Sequence, residues 1–288
     1  MPGFGTPTWL YTVGGPVTTK PTIPKNPLIS STVAPVVAAT FDQQYGSQRG
    51  DATLLPVPWD QTYLDYWFAF LQDVADRYAG NADFRMIAAA GPTSVSAEMS
   101  LPRSADDPAL SGGSHVSKWI SLGYTPQLYE GAWRQVFAAY ARMFPSQYIS
   151  LSLFPGLPIG NNHQRQPAQS TLTTRAVLAE GTALQGRFVV QADGLNACPD
   201  GVGTYDLVAS EHARYVTGLQ MTTSAKNNPQ VEARTSVHGV NAEVAALQGA
   251  LANAMNARVH FIEIYQPDVL FAPMQTTLMA AATQLSAG

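Results

Sequence analysis

The chain has 288 residues, a net charge of −4 and only 12% charged side chains, about half the usual charged share of roughly 25%. No Lys/Arg cluster occurs along it, which excludes a nucleic-acid footprint and argues against anionic polymers as partners. A sequence poor in Lys and Glu but rich in Ser, Thr, Asn, Gln, Gly and Pro suits a binder of neutral ligands.

A single cysteine, Cys198, rules out an internal disulfide, and no Cys/His spacing points to a metal. No metal and no cofactor are expected. No apolar run reaches the roughly 20 residues that span a bilayer, so no membrane association is expected. Met1-Pro2-Gly3-Phe4-Gly5 lacks a charged region followed by an apolar core, so no leader is read there. The compartment is left open.

Residues 1–58 are dense in Pro, Gly and Thr and read as an irregular segment, with a hairpin expected from Val36–Phe41 and Ala52–Val57. Residues 59–288 read as one barrel-like domain. Asp60 is a good N-cap for a helix running to Tyr78, with Leu64, Trp67, Leu71, Val74 and Tyr78 on one face. A strand is expected over Phe84–Ala90, leading through Gly91-Pro92-Thr93-Ser94 to Glu98. After a polar loop (Ser104–Ser117) comes a helix over Gln127–Phe144, with Leu128, Val136, Tyr140 and Met143 inward.

Tyr148–Phe154 reads as a strand, Thr171–Leu184 as a helix and Phe188–Ala192 as a strand. Tyr205–Arg214 reads as a short helix, Val216–Thr222 as a strand and Asn241–Asn256 as an alanine-rich helix. Val259–Tyr265 is the last strand and Thr276–Leu285 the last helix. This alternation predicts an α/β fold: a TIM-barrel-like parallel sheet with helices outside it. Only about five βα units are visible where a closed barrel has eight. An incomplete sheet with an open parallel edge invites pairing with another copy, so a homo-oligomer is one expectation.

Parallel α/β folds gather their chemistry beyond the carboxyl ends of the strands. Those ends carry Ser94, Ser96 and Glu98, then Phe154, then Gln191, Asp193 and Asn196, then Gln220, then Glu263, Tyr265 and Asp268. Two glutamates stand out because each closes or interrupts an apolar run. A carboxylate there is costly to bury unless paired, protonated or working. In Phe261-Ile262-Glu263-Ile264-Tyr265 the alternation puts Glu263 on the face of Phe261 and Tyr265, with Ile262 and Ile264 expected under the helices.

Cleavage of a glycosidic bond uses two carboxyl groups, one to protonate the leaving oxygen and one to attack or to activate water. Glu98 is the candidate acid/base and Glu263 the candidate nucleophile or base. Trp9, Trp119, Tyr124 and Tyr265 are candidate stacking platforms for a sugar, and Gln191, Asn196 and Gln220 candidate hydrogen-bonding amides. Trp67 and Trp133 fall at helical core positions. No Gly-x-Ser-x-Gly elbow, His-Glu-x-x-His, Walker loop or dinucleotide fingerprint is present.

Several segments, Pro56-Val57-Pro58-Trp59-Asp60, Arg77-Tyr78, Ser96-Ala97-Glu98, Ala132-Trp133 and Phe144-Pro145, make residues 55–155, together with Phe261–Tyr265, resemble the retaining glycoside hydrolases built on (β/α)8 barrels. That clan includes cellulases and β-galactosidases. The resemblance implies that Glu98 is the acid/base following the fourth strand. On that mapping the first three strands are absent, the seventh strand offers Gln220 where the clan has its nucleophile, and Glu263 lies on the eighth. Two readings follow. One is a hydrolase acting on an oligo- or polysaccharide that is neutral and β-linked. The other is a non-catalytic carbohydrate-binding relative, or an incomplete barrel that functions as an oligomer.

Overall fold

The computed structural model describes residues 37–42, 52–94, 98–103, 115–198, 203–233 and 241–287. The fold is mixed α/β, and the chain divides into two compact units at Gln185/Gly186. Among the described residues five parallel strands alternate with helices, two in the first unit and three in the second.

In the first unit, β1 (Ala38–Asp42) and β2 (Ala52–Pro56) form the expected antiparallel hairpin. It is anchored by Phe41, wholly buried and stacked on Trp119 at 4.3 Å between ring centroids. Helix α1 (Gln61–Tyr78) starts where expected, because the Asp60 carboxylate accepts from the Tyr63 backbone N–H at 2.8 Å, satisfying a donor the helix itself cannot. Its inward face is rotated from the one the apolar pattern predicts. Tyr63, Leu64, Tyr66, Leu71 and Ala75 are buried, whereas Tyr78 is exposed. The rotation brings Tyr63 inward, where its Oη donates to Gly91 O at 2.7 Å; Trp67, on the expected face, donates Nε1 to Ala90 O at 2.6 Å.

Strand β3 (Met86–Ala88) pairs in parallel with β4 (Tyr148–Ser152), Met86 against Tyr148 and Ala88 against Ser150. Between them lie α2 (His115–Ser121) and α3 (Pro126–Met143), the latter capped by Thr125 Oγ1 accepting from Leu128 N. The sequence pattern places a loop as far as Ser117, and α2 is a helix it does not foresee. Trp133, Phe137, Tyr140 and Phe144 fill the core under α3, while Leu128 faces solvent. Helix α4 (Gln169–Glu180) is clipped to α3 by Arg134, whose guanidinium holds both oxygens of Glu180 at 2.7 and 2.9 Å. This pair sits on the surface and contributes no more than about 1 kcal/mol.

The second unit carries β5 (Phe188–Leu195), β6 (Val216–Met221) and β7 (Phe261–Glu263), paired in parallel in that order. Helices α5 (Gly203–Glu211), α6 (Pro229–Ala233), α7 (Ala242–Asn256), α8 (Gln266–Val269) and α9 (Gln275–Ala287) alternate with and follow these strands. Val189, Val190, Leu219 and Met221 are buried with Leu247, Ala250 and Leu251 of α7. The alanines of α7 keep its inward face flat. β7 is an edge strand, and Ile262 is only half-buried, as is Ile264 just beyond it. Both isoleucines are expected under the helices; the edge position leaves them with cover on one side only.

Candidate active site

Glu98 reaches its place through a chain of main-chain contacts to aromatic side chains. After β3 the carbonyls of Ala88, Ala90, Gly91 and Pro92 each accept a bond from an aromatic ring group: Tyr140 Oη, Trp67 Nε1, Tyr63 Oη and Tyr129 Oη respectively. Gly91 sits at φ +139°, and a Cβ there would come within 2.9 Å of the Trp67 indole, so the turn requires glycine. Burial pushes the hydroxyl pKa values of Tyr129 and Tyr140 upward, which keeps these groups protonated donors. Ser94 closes the loop through its N–H and Oγ, both at 2.8 Å from Ser100 O. Glu98 then forms a parallel bridge with Ser152, the last residue of β4. The half-buried Glu98 is therefore at the carboxyl end of a parallel strand.

In the second unit the strand register builds a row of polar side chains. Gln191 pairs with Gly218 and Gly218 with Phe261; one step on, Gln220 pairs with Glu263. Paired residues of a parallel sheet share a face, and the face repeats every second residue. Gln191, Gln220 and Glu263 thus stand on one side, with Tyr265 following. Between Ala192↔Leu219 and Leu195↔Met221 the register slips, so Asp193 and Gly194 together oppose Gln220. This bulge, of the kind that re-aims side chains near sites, carries Asp193 into the row. Gln191 Nε2 donates to Asp193 Oδ1 at 3.2 Å and Gln220 Nε2 to Tyr265 Oη at 3.3 Å.

Glu263 is half-buried, and its carboxyl ionises above the ordinary glutamate range, first because of burial and second because of the negative charge of Asp193. Among the described residues no Lys or Arg forms an ion pair with it. Gly218 leaves room for the Phe261 ring, since a Cβ there would collide with that ring's outer edge. Gly218→Ala is expected to swing that ring toward solvent and lower the unfolding free energy by about 1 kcal/mol. Urea unfolding checks this, and Phe261→Leu in the same chain should restore most of the loss.

Not every expected site residue joins a site. Trp9 and Ser96 lie outside the described residues. Trp119 and Tyr124 are wholly buried in the first unit, which corrects their expected role as sugar platforms. Trp119 Nε1 donates to Pro102 O at 2.8 Å, one face stacks on Phe41, and Trp59 covers the ring as well. A ring with no free face cannot stack on a ligand. Trp119→Phe should reduce stability by about 2 kcal/mol and leave carbohydrate binding unchanged, as unfolding and binding titrations on one preparation would read out.

Asn196 is a second correction. It is 2% exposed, donates to Gly194 O at 2.9 Å and accepts from Cys198 N at 2.8 Å. Its amide folds its own turn and is buried away from the surface. Asp268, also wholly buried, accepts from Ser224 Oγ, Ala225 N and Lys226 N, fastening the loop after β6 to α8. Asp193 is expected just beyond the carboxyl end of β5, which reads as ending at Ala192, whereas the strand continues to Leu195 through a bulge that the pattern does not foresee. Gly194 is the available signal, since glycine inside a strand marks a bulge. Among the described residues no cluster of three His, Cys, Asp or Glu side chains has metal-binding proximity, and no helix is long and apolar enough to cross a membrane.

No protein-family model, curated protein or solved structure matches this chain.

Proposed function

We propose that this protein is a glycoside hydrolase of the (β/α)-barrel type, acting on a neutral β-linked glycan with Glu98 as acid/base and Glu263 as nucleophile or base. One observation carries the reading: Glu263 is a half-buried carboxyl group without a cationic partner among the described residues, at the carboxyl end of a parallel strand and in one row with amides and a tyrosine. Such a group is costly to stability and suited to chemistry. Further support comes from Glu98, which also stands at a strand's carboxyl end, and from the strand–helix order that barrels use. The low charge of the chain favours a neutral substrate.

Aryl glycosides with good and poor leaving groups separate the two roles. Glu98→Gln should lose far more rate on a poor leaving group, which needs protonation, than on dinitrophenyl glycosides, which do not. Glu263→Gln should lose rate on both. Equal losses from Glu98→Gln across the series would remove it from the acid role. Gln220 favours a second reading, binding without turnover, because it occupies the strand on which the related clan carries its nucleophile. That reading predicts glycan binding unaffected by Glu263→Gln.

A further inference from the structure

The polar row of the second unit has a surplus of acceptors. Gln191 is 8% exposed, and its Oε1 is buried with no hydrogen-bond partner. Its Nε2 is held by Asp193. Turning the amide over would set its oxygen against the carboxylate, so Asp193 fixes Gln191 with Oε1 turned away from it and left as a buried, unused acceptor. Gln220 gives its N–H to Tyr265 and keeps its own oxygen free to accept. Asp193 and Glu263 add two carboxyl groups, and Tyr265 Oη is the one hydroxyl donor.

Among the described residues the neighbouring elements bring no cation to the row. Lys226 lies over the Phe271 ring, and His260 Nδ1 is bonded at Thr217, toward the opposite end of β6. Asp268 is occupied with the 224–226 loop. An acceptor-rich row that runs from a buried amide to an exposed tyrosine is complementary to a ligand that brings several donors. A carboxylate accepts two at once in parallel, the spacing offered by adjacent sugar hydroxyls.

We propose that Gln191 and Asp193 form a diol-binding subsite for a neutral sugar, in which the Asp193 carboxylate accepts from two adjacent ring hydroxyls and Gln191 Oε1 from one of them. The ring is held beside Glu263. The identity of the ligand as a sugar rests on the glycoside hydrolase reading. The electrostatic influence of Asp193 on Glu263 agrees with the two carboxyl groups lying near each other on one face of the sheet.

The test uses the full chain, 15N-labelled, with the side-chain amide signal of Gln191 identified by its loss in Gln191→Leu. Glucose, galactose, mannose and xylose are titrated separately. At least one is expected to shift that signal saturably, and Asp193→Asn should weaken the apparent affinity by about tenfold or more. Asp193→Ser provides a second variant should the first not fold, and the backbone spectrum reports folding of both. Absence of a saturable shift with every sugar would overturn the subsite. So would an affinity unchanged in the folded Asp193 variant, or an equal response to a simple ammonium salt. Saturable sugar binding without hydrolysis of any glycan would uphold the subsite and remove the hydrolase reading.

Discussion

Glu263→Gln is expected to lower kcat by about a thousandfold or more while leaving the protein folded. The amide keeps the shape and the neighbours of the carboxyl group but can neither attack an anomeric carbon nor take a proton. The effect on stability has the opposite sign to that of an ordinary buried ion pair. Glu263 has a folded-state pKa raised by burial and by Asp193. Its contribution to stability is therefore fully present below its unfolded pKa and is lost as pH rises through the folded one. At neutral pH the ionised side chain works against folding, and Glu263→Gln should unfold at the same urea concentration as the wild type or a higher one. The pH–rate profile carries the same information. As nucleophile or base Glu263 must be ionised, so the rising limb should lie above the ordinary glutamate range. Asp193→Asn, by removing the nearby charge, should move that limb toward lower pH.

Asp268→Ala is expected to be the most destabilising single change at the strand ends, reducing the unfolding free energy by about 3 kcal/mol. The carboxylate is wholly buried and accepts three bonds at 2.8, 2.8 and 3.2 Å. Truncation leaves two backbone N–H groups and a serine hydroxyl without their acceptor, each at a penalty of about 1–3 kcal/mol before relaxation. Asp268→Asn should lose about half as much, since its oxygen still accepts while its NH2 opposes a backbone donor. Urea unfolding at neutral pH measures both. A loss below about 1 kcal/mol for the alanine variant would mean that the loop after β6 is held by other contacts.

Much of the fold can be read from local pattern. Asp60 before α1, Thr125 before α3, and the apolar runs at Tyr148–Ser152, Phe188–Ala192 and Val216–Met221 are signals confined to a few neighbouring residues. What the pattern missed depends on partners distant in sequence. The inward face of α1 is set by tyrosine and tryptophan groups reaching the carbonyls after β3, more than 20 residues away. Trp119 sits in a stretch that reads as loop, yet its ring is enclosed by Phe41 and Trp59.

The candidate site divides in the same way. Glu98 and Glu263 are legible because a carboxylate in an apolar run is conspicuous, and Gln191 and Gln220 because they end strands. Asp193 is legible as a strand-end carboxylate, but its place opposite Gln220 is not, because the register of the bulge depends on β6 as much as on β5. Asn196 misleads because an amide after a strand reads equally well as a ligand or as a turn, and only its bonds to Gly194 and Cys198 decide.

Reducing-sugar release from β-glucans, mannans, xylans and β-galactans decides whether the two glutamates perform hydrolysis. The full chain is run beside a Glu98→Gln/Glu263→Gln double variant of equal folded content. Release from at least one polymer by the wild type, and none above background by the double variant, is the expected result. No release from any polymer by the folded wild type, or equal release by both proteins, would contradict it.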